Sequence, residues 1–312
     1  MEFIRSFKKL SKKDVGIAGG KGAQLGEMTK AGMPVPEGFV VLTDSFDSFI
    51  KENRLNEKIK AELKNADIEK IDSVKRASKN IQSAILKGLI PAGIKKSILN
   101  EYGSIKLKLV AVRSSATAED AADASWAGEL DTYVNIDKQG LLDAVKKCWA
   151  SLFTERAITY AKHKKIDEGK ISVAVVVQKM VQSEISGVCF TVNPVTNNQK
   201  QIMIEAGFGL GESVVAGTIT PDKYIVNKEE MFIEEIIVNK QETMISKKGM
   251  ETIKSNVSKE RQEKQKLEGK QIVELAELCK KIESHYGKPQ DIEFAFEKNK
   301  LYILQARPVT TI

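Results

Sequence analysis

The order of apolar and polar positions divides the chain into a helix-rich first part and a strand-rich second part. Residues 55–102 form charged, amphipathic stretches interrupted by Gly and Pro, and they predict two or three helices. From residue 171 onward, short β-branched runs between turn residues predict strands. The change near residue 170 predicts two lobes, an N-terminal lobe over 1–170 and a C-terminal lobe over 171–312.

Local signals predict the individual elements. A glycine-rich turn leads into a short helix within residues 16–32, and we expect the polar stretch 240–265 to be mobile. Apolar positions at helical spacing predict further helices over 44–52, 138–162 and 266–286. Alternating or continuous apolar runs predict strands over 38–42, 107–113, 129–136, 171–181, 187–192, 201–205, 223–226, 231–238, 291–297 and 301–306. Together these elements predict an α+β fold.

The composition is that of a soluble globular protein. Of the 312 residues, 42% are hydrophobic and 29% are charged. The longest apolar run is too short to cross a bilayer, and the N-terminal residues lack a signal-peptide pattern. The three cysteines have no metal-binding or redox spacing. We therefore expect a cytoplasmic protein without a membrane partner.

A net charge of +7 raises the question of a polyanionic partner. Only seven of the 49 basic residues are Arg, and the lysines are scattered among Asp and Glu on the predicted helices. This pattern favours solvated helix faces over a nucleic-acid-binding surface. Arg113 and Arg307 differ from the other arginines because each ends an apolar strand. These two residues require a separate explanation.

The first candidate site is the glycine-rich loop that contains Gly19-Gly-Lys21-Gly. Glycines allow backbone amides to approach a phosphate closely, and the lysine adds a positive charge. The spacing is not that of a Walker A loop or of a dinucleotide-binding loop. Taken alone, the segment is explained equally well as a tight structural turn.

The second candidate site is Arg113 together with the small-residue loop 114–128. An Arg at the end of a strand can grip phosphate oxygens with its planar guanidinium group. A loop of this length and composition could close over a triphosphate as a lid. The alternative is a surface loop next to a salt-bridged Arg.

The third candidate site is the C-terminal pair of strands. A three-residue loop over 298–300 would place Glu293 opposite Gln305, and Asp291 opposite Arg307. A two-residue loop would break this register. The register is therefore a specific prediction about the hairpin.

Carboxylate and amide oxygens such as those of Glu293 and Gln305 suit Mg²⁺, which also binds phosphate oxygens and water. Arg307 would contact the same phosphates. Period-two alternation also predicts that Leu301 and Ile303 share the face of these polar residues. The alternative is a polar sheet face with one ion pair.

The end of a strongly apolar strand, residues Gln178, Lys179, Met180 and Val181, could border an adenine base through its backbone groups. A core strand that reaches the surface would look the same.

The chain has only two histidines, and both lie away from the candidate sites, so no Ser-His-Asp triad or zinc cluster is available. Phosphoryl transfer requires mainly positioning and charge.

Several motifs in order resemble the nucleotide-binding domain shared by phosphoenolpyruvate synthase, pyruvate phosphate dikinase and rifampin phosphotransferase. The resemblance extends over residues 3–309. It implies an ATP-grasp fold in which two lobes enclose ATP. The motifs are Gly19-Gly-Lys-Gly-Ala-Gln-Leu-Gly-Glu27, Val35-Pro-Glu-Gly-Phe39, Val112-Arg-Ser-Ser-Ala-Thr-Ala-Glu-Asp120, Ala127-Gly128 and Gln305-Ala-Arg-Pro308.

The resemblance also implies roles for individual residues. Arg113 and Arg307 would act in catalysis and, with Lys21, hold the phosphates of ATP. Gly128 and Thr132 would belong to the lid over the nucleotide. The other implied contacts are Gln178, Lys179, Met180 and Val181 beside the adenine, and Glu293 and Gln305 as ligands of Mg²⁺.

In the family that this chain resembles, the β-phosphate of ATP passes to a histidine on a separate swivelling domain, with release of AMP and phosphate. The histidine then phosphorylates pyruvate or the antibiotic. The motif of that histidine and an acceptor domain are absent from this sequence. We therefore expect a piece of a longer enzyme, or a subunit that works with a separate swivelling protein, and no complete turnover by this chain alone.

Pyruvate is the acceptor that we favour, and rifampin is the alternative. A second hypothesis is a nucleotide-sensing module without catalysis, although candidate metal ligands argue against it. A third is a nucleic-acid binder, which no recognised motif or aromatic stacking array supports.

Overall fold

The computed structural model describes residues 2–117, 131–164, 172–249 and 251–309. The chain forms two compact units. The first contains Met1–Ala31 and Glu37–Met180, and the second contains Gly32–Pro36 and Val181–Ile312. Each unit combines helices with an antiparallel sheet, so the predicted α+β class is confirmed.

The first unit is built on a five-stranded sheet with the order β1-β2-β5-β3-β4. Strand β5 lies between β2 and β3 and pairs with both. The chain therefore passes from the first unit to the second after Met180, whereas the sequence pattern predicted a boundary near residue 170. The strands of this sheet are β1 Ile4–Ser6, β2 Gly38–Val41, β3 Val110–Ala116, β4 Thr132–Ile136 and β5 Val173–Lys179.

Helices cover both faces of this sheet. On one face, α1 packs closely enough that Gly22 lies against Val40 of β2. On the other face, a continuous core joins α2–α7 to strand residues such as Val112 and Val175. The helices of this unit are α1 Val15–Lys30, α2 Thr43–Glu52, α3 Asn56–Asn65, α4 Ile71–Lys87, α5 Ala92–Ser104, α6 Leu141–Ser151 and α7 Glu155–His163.

The prediction of one helix over 138–162 was wrong, because two helices occupy this stretch. The first ends at Ser151 and the second begins at Glu155. The side-chain oxygen of Thr154 accepts a hydrogen bond from the backbone N–H of Ala157 at 3.2 Å. This N-cap starts a new helix and satisfies one of its first amides. Because the apolar pattern continues across the break, the pattern alone predicted a single helix.

The second unit is built on a six-stranded sheet with the order β13-β12-β6-β7-β8-β9. Helix α9 covers one face of it with the buried side chains of Ile272, Leu275 and Cys279. Its elements are β6 Ile185–Phe190, β7 Gln201–Phe208, α8 Glu212–Val215, β8 Asp222–Asn227, β9 Ile233–Ile237, β10 Thr243–Lys248, β11 Glu251–Asn256, α9 Gly269–Tyr286, β12 Gln290–Glu297 and β13 Lys300–Pro308.

The stretch 240–265 is more ordered than its polar sequence predicts. Strands β10 and β11 pair as an antiparallel hairpin, in which the hydroxyls of Ser246 and Ser255 lie 3.0 Å apart. The side chain of Gln241 accepts from the backbone N–H of Phe208 and donates to its carbonyl oxygen. Among the described residues, no helix combines the length and apolar character of a membrane span.

Candidate nucleotide-binding residues

A break in α1 fixes the glycine-rich loop on the first sheet. Gly19 has φ 66° and ψ 172°, and a Cβ at this position would lie 2.2 Å from the carbonyl oxygen of Ser115. The Ser115 hydroxyl donates to the carbonyl of Ala18 at 2.9 Å and accepts from the N–H of Gly22 at 3.1 Å. Lys21 therefore follows a rigid, glycine-dependent contact between α1 and β3.

Strand pairing places three further candidate residues on one face of the first sheet. Arg113 on β3 lies opposite Thr132 on β4, and the β3–β5 register puts Gln178 on the same face. Alternate residues of a strand share a face, so this is also the face on which Ser115 contacts α1. The first unit therefore brings Lys21, on that helix, to the same side of the sheet as the other three.

Two cations belong to this face. Arg113 is buried, with 8% of its surface exposed, and Lys21 is half-buried. A planar guanidinium group and a mobile ammonium group are complementary to phosphate oxygens. Thr132 is exposed at the start of β4, whereas Gly128 lies outside the residues that the structure describes.

Gln178 presents a buried amide donor on this face of the first sheet. Its side chain is 2% exposed, and its Nε2 atom has no hydrogen-bond partner among the described residues. An unsatisfied buried donor costs about 1–3 kcal/mol. A ligand atom that accepts a hydrogen bond at this position would remove that cost.

The residues after Gln178 are arranged differently. Lys179 is exposed, and Val181 belongs to the second unit. The backbone N–H of Lys179 donates to the carbonyl of Glu37 at 2.8 Å, and that of Met180 donates to Leu109 at 3.0 Å. Because these amides already have acceptors in the protein, the structure does not support hydrogen bonds from them to a base.

In the second unit, the β12–β13 hairpin has the predicted site register but not the predicted loop. Lys298 and Asn299 form a two-residue turn with φ angles of 52° and 60°, both left-handed as in a type I′ turn. A bulge follows, because Phe294 pairs with Ile303 whereas Glu293 pairs with Gln305. The extra residue restores the predicted pairing.

The bulge also changes which residues of the hairpin share a face of the sheet. Leu301 and Ile303 lie opposite Phe296 and Phe294, so these four apolar residues share one face. The prediction that Leu301 and Ile303 share the face of Gln305 was wrong, because the extra residue inverts the alternation between Ile303 and Gln305. The face that carries Gln305 is therefore more polar than the sequence pattern predicts.

Arg307 and Asp291 form an ion pair on this polar face. The Nε and one terminal nitrogen of Arg307 donate to Oδ2 of Asp291 at 2.9 and 2.7 Å. Burial raises the pKa of the Asp291 carboxyl, and the guanidinium group of Arg307 opposes this rise. Asp291 thus orients Arg307, of which 42% of the side chain remains exposed.

Glu293 and Gln305 offer a donor set that fits a magnesium ion bound with a nucleotide. They supply carboxylate and amide oxygens from directly opposite positions. Within the described ranges, no group of three or more His, Cys, Asp and Glu residues could hold a metal by itself. Mg²⁺ typically uses one or two protein ligands together with phosphates and water, which is compatible with this pair.

Sequence reasoning did not single out two residues on these faces. Ser115 belongs to the motif after Arg113, but its role in holding α1 depends on a contact with Ala18 and Gly22 far away in the chain. Glu205 shares the polar face of β12, with Val188 between it and Glu293 in the strand pairing. Alternation within the predicted strand 201–205 could have assigned the face of Glu205, but not its neighbours.

A comparison with protein families identifies the chain. The family described as "Pyruvate phosphate dikinase, AMP/ATP-binding domain" matches residues 15–312. The chain belongs to this family. The predicted resemblance is thereby confirmed.

Relatives of this chain include phosphoenolpyruvate synthases and rifampicin phosphotransferases. It is 47% identical to a probable phosphoenolpyruvate synthase of Methanocaldococcus jannaschii, matching 100% of the chain and 27% of that protein. It is 40% identical to the phosphoenolpyruvate synthase of Pyrococcus furiosus, over 99% and 44%. A rifampicin phosphotransferase of Bacillus cereus is 39% identical, over 99% and 36%. The chain spans less than half of each relative.

Proposed function

We propose that this chain is the ATP-binding module of a dikinase-type phosphotransferase with an ATP-grasp fold. Two lobes, 1–170 and 171–312 in the predicted division, would enclose ATP. The β-phosphate would pass to a histidine on a separate swivelling domain, with release of AMP and phosphate. Membership of the pyruvate phosphate dikinase AMP/ATP-binding family supports nucleotide binding directly.

The observation that carries the proposal is the bulge in β13. It moves Gln305 and Arg307 onto the face of Glu293, away from the apolar face. Glu293 and Gln305 would hold Mg²⁺, which supplies charge neutralisation at the transferring phosphate. Arg307 would bind phosphate oxygens beside them, held in place by Asp291. A bulge that re-aims side chains is a common feature of functional sites.

In the first unit, Lys21 and Arg113 would bind further phosphate oxygens, because both cations lie on the side of the sheet that carries the glycine-rich loop. Thr132 and Gly128 would belong to a lid. Gln178 would donate its unsatisfied amide to the nucleotide, and the chain from Lys179 through Met180 to Val181 would border the adenine.

We propose pyruvate as the final acceptor, because relatives at 40–47% identity are named as phosphoenolpyruvate synthases or probable phosphoenolpyruvate synthases. Rifampicin is the second candidate, since two relatives at 37–39% identity carry that name. The domain that binds the acceptor and the histidine-bearing swivelling domain would belong to the rest of a longer protein or to a separate subunit. A cytoplasmic location fits three buried, free cysteines.

Calorimetric titration with Mg-ATP tests the nucleotide site. We expect binding that requires Mg²⁺ and that weakens roughly tenfold to a hundredfold in Arg307→Ala, because a hydrogen bond to a charged group contributes about 1.5–3 kcal/mol. Arg76→Ala, at an exposed position on α4, is the matched control and should retain wild-type affinity. Equal affinity in the two variants would remove Arg307 from the site.

Transfer is tested separately from binding. The chain is mixed with a histidine-bearing swivelling domain from a relative, and AMP is measured. We expect AMP formation only when that domain is present. Binding of ATP without AMP under any of these conditions would favour a nucleotide sensor, and steady AMP release without the domain would indicate hydrolysis.

A further inference from the structure

The last strand of the second sheet has an open and apolar outer edge. In the part of the chain that the structure describes, β9 pairs only with β8. Four apolar side chains on or beside this strand are exposed by about 40–50%: Phe232, Ile236, Ile237 and Val238. Unpaired edge strands of this kind are templates for the addition of another strand.

A groove lies beside this edge. It has a volume of about 680 Å³ and lies between β9 and the first turns of α9. Ile233 and Ile236 of β9 pair with the buried residues Val226 and Tyr224, on the face that α9 covers. The lining residues are Ile233, Gly269, Lys270, Val273, Glu274 and Glu277.

The groove and the strand together form the arrangement used for peptide recognition by strand addition. The backbone edge of β9 can pair with an extended segment, while alternate side chains of that segment point toward α9. Ile233 and Val273 make the floor of the groove apolar. The groove therefore fits apolar side chains at every second position of the added strand.

The charged residues at the groove and on β9 determine which side chains suit the remaining positions of the added strand. Glu274 and Glu277 line the groove against a single cation, Lys270. Glu235 lies opposite Ile225, and so points to the other face of the sheet from Ile236. A second copy of this chain would bring its own Glu235 and groove carboxylates to the contact, whereas a basic segment would be attracted by them.

We propose that β9 and α9 form a docking site for an extended segment of a partner protein in which apolar and basic residues alternate. The apolar side chains enter the groove beside Ile233 and Val273. The basic side chains lie on the opposite face, where they meet Glu235, and the carboxylates at the groove add to the attraction without direct contact. This proposal is independent of the nucleotide chemistry of the chain.

Fluorescence anisotropy with a labelled, end-capped synthetic peptide that alternates valine and lysine tests the site. We expect the chain to bind this peptide and not its valine–glutamate counterpart. In Glu235→Lys/Glu277→Lys the affinity for the lysine peptide should fall roughly fivefold, as expected for two exposed charge pairs, and the glutamate peptide should bind instead. Glu57→Lys, 89% exposed on α3, is the control and should bind like the wild type.

Hydrogen exchange shows whether the peptide adds as a strand. The backbone amides of β9 that point away from β8 should become protected when the valine–lysine peptide binds, and those of the edge strand β4 should not. Absence of binding by the folded chain, equal binding of both peptides, or binding without protection of β9 would overturn the proposal. Self-association that Ile236→Lys abolishes, measured by sedimentation, would also overturn it, because the occupant would then be a second copy.

Discussion

Glu293 on β12 lies directly opposite Gln305 on β13, although the pairs nearer the turn follow a register that differs by one residue. Without the bulge, Leu304 would oppose Glu293, and Gln305 would point toward the apolar face. The bulge therefore decides which side chains meet at the proposed metal site. Without it, Glu293 would remain on its face without Gln305 opposite.

The Asp291–Arg307 pair predicts a pH dependence with a definite sign. Burial raises the pKa of the Asp291 carboxyl in the folded protein. The folded state thus binds this proton more tightly than the unfolded state. The contribution of Asp291 to the free energy of unfolding therefore falls as pH rises above the ordinary Asp pKa of about 3.9. The urea midpoint of the wild type minus that of Asp291→Asn should decrease from acidic to neutral pH. An increase would contradict the assigned burial.

Gln178 predicts opposite effects on stability and binding. Gln178→Met removes a buried amide whose Nε2 atom has no partner among the described residues, so the free energy of unfolding should rise by up to about 1 kcal/mol, while Mg-ATP affinity should fall. Gln82→Met is the control, because the Gln82 amide donates to the Ser78 hydroxyl and to the Phe153 carbonyl. That variant should lose stability and retain affinity. Unchanged affinity in Gln178→Met would exclude contact with the nucleotide.

Gly19 predicts a local requirement for glycine. Gly19→Ala would place Cβ against the backbone of Ser115 and would force a left-handed φ on alanine, so we expect a loss of about 1–3 kcal/mol and weaker binding of Mg-ATP. Gly16→Ala, in the same helix and with open space around the added methyl, should be neutral or slightly stabilising. Denaturant unfolding and calorimetry measure both effects. Equal behaviour of the two variants would show that the break in α1 is not needed.

A buried ion pair in the second unit predicts a large effect on stability. Lys266 donates to Oδ1 of Asp222 at 2.7 Å, and both side chains are fully buried. Lys266→Met should cost about 3–5 kcal/mol, because it removes one partner of a buried ion pair. Lys264→Met, at an exposed position, should change stability little. Similar unfolding midpoints for the two variants would contradict the burial of the pair.

The elements that could be predicted are those whose signals are local. Helix α9 was predicted to within a few residues, and Gly287 ends it in the left-handed conformation, with φ 69°. The Glu293–Gln305 pairing was predicted correctly, but for the wrong reason. The turn is one residue shorter than expected, and the bulge that compensates for it has no distinct signature in the apolar pattern.

The elements that were missed depend on distant partners. Residues 114–116 read as the start of a loop, but they continue β3 because residues 173–175 of β5 pair with them. Likewise, the sequence gives no reason why Gln241 should bind the backbone of Phe208. The candidate residues could thus be chosen from motifs, whereas their grouping on one face of each sheet required the strand order.

The short segment Gly32–Pro36 belongs to the second unit although the chain on both sides of it belongs to the first. Its Pro34 carbonyl accepts a hydrogen bond from the backbone N–H of Ile303 on β13 at 3.0 Å. No single cut in the polypeptide can therefore release either unit intact. A fragment that starts at Val181 would leave the edge of β13 without this acceptor. During synthesis on the ribosome, the hydrogen bond of Pro34 cannot form until Ile303, 269 residues later, has been added.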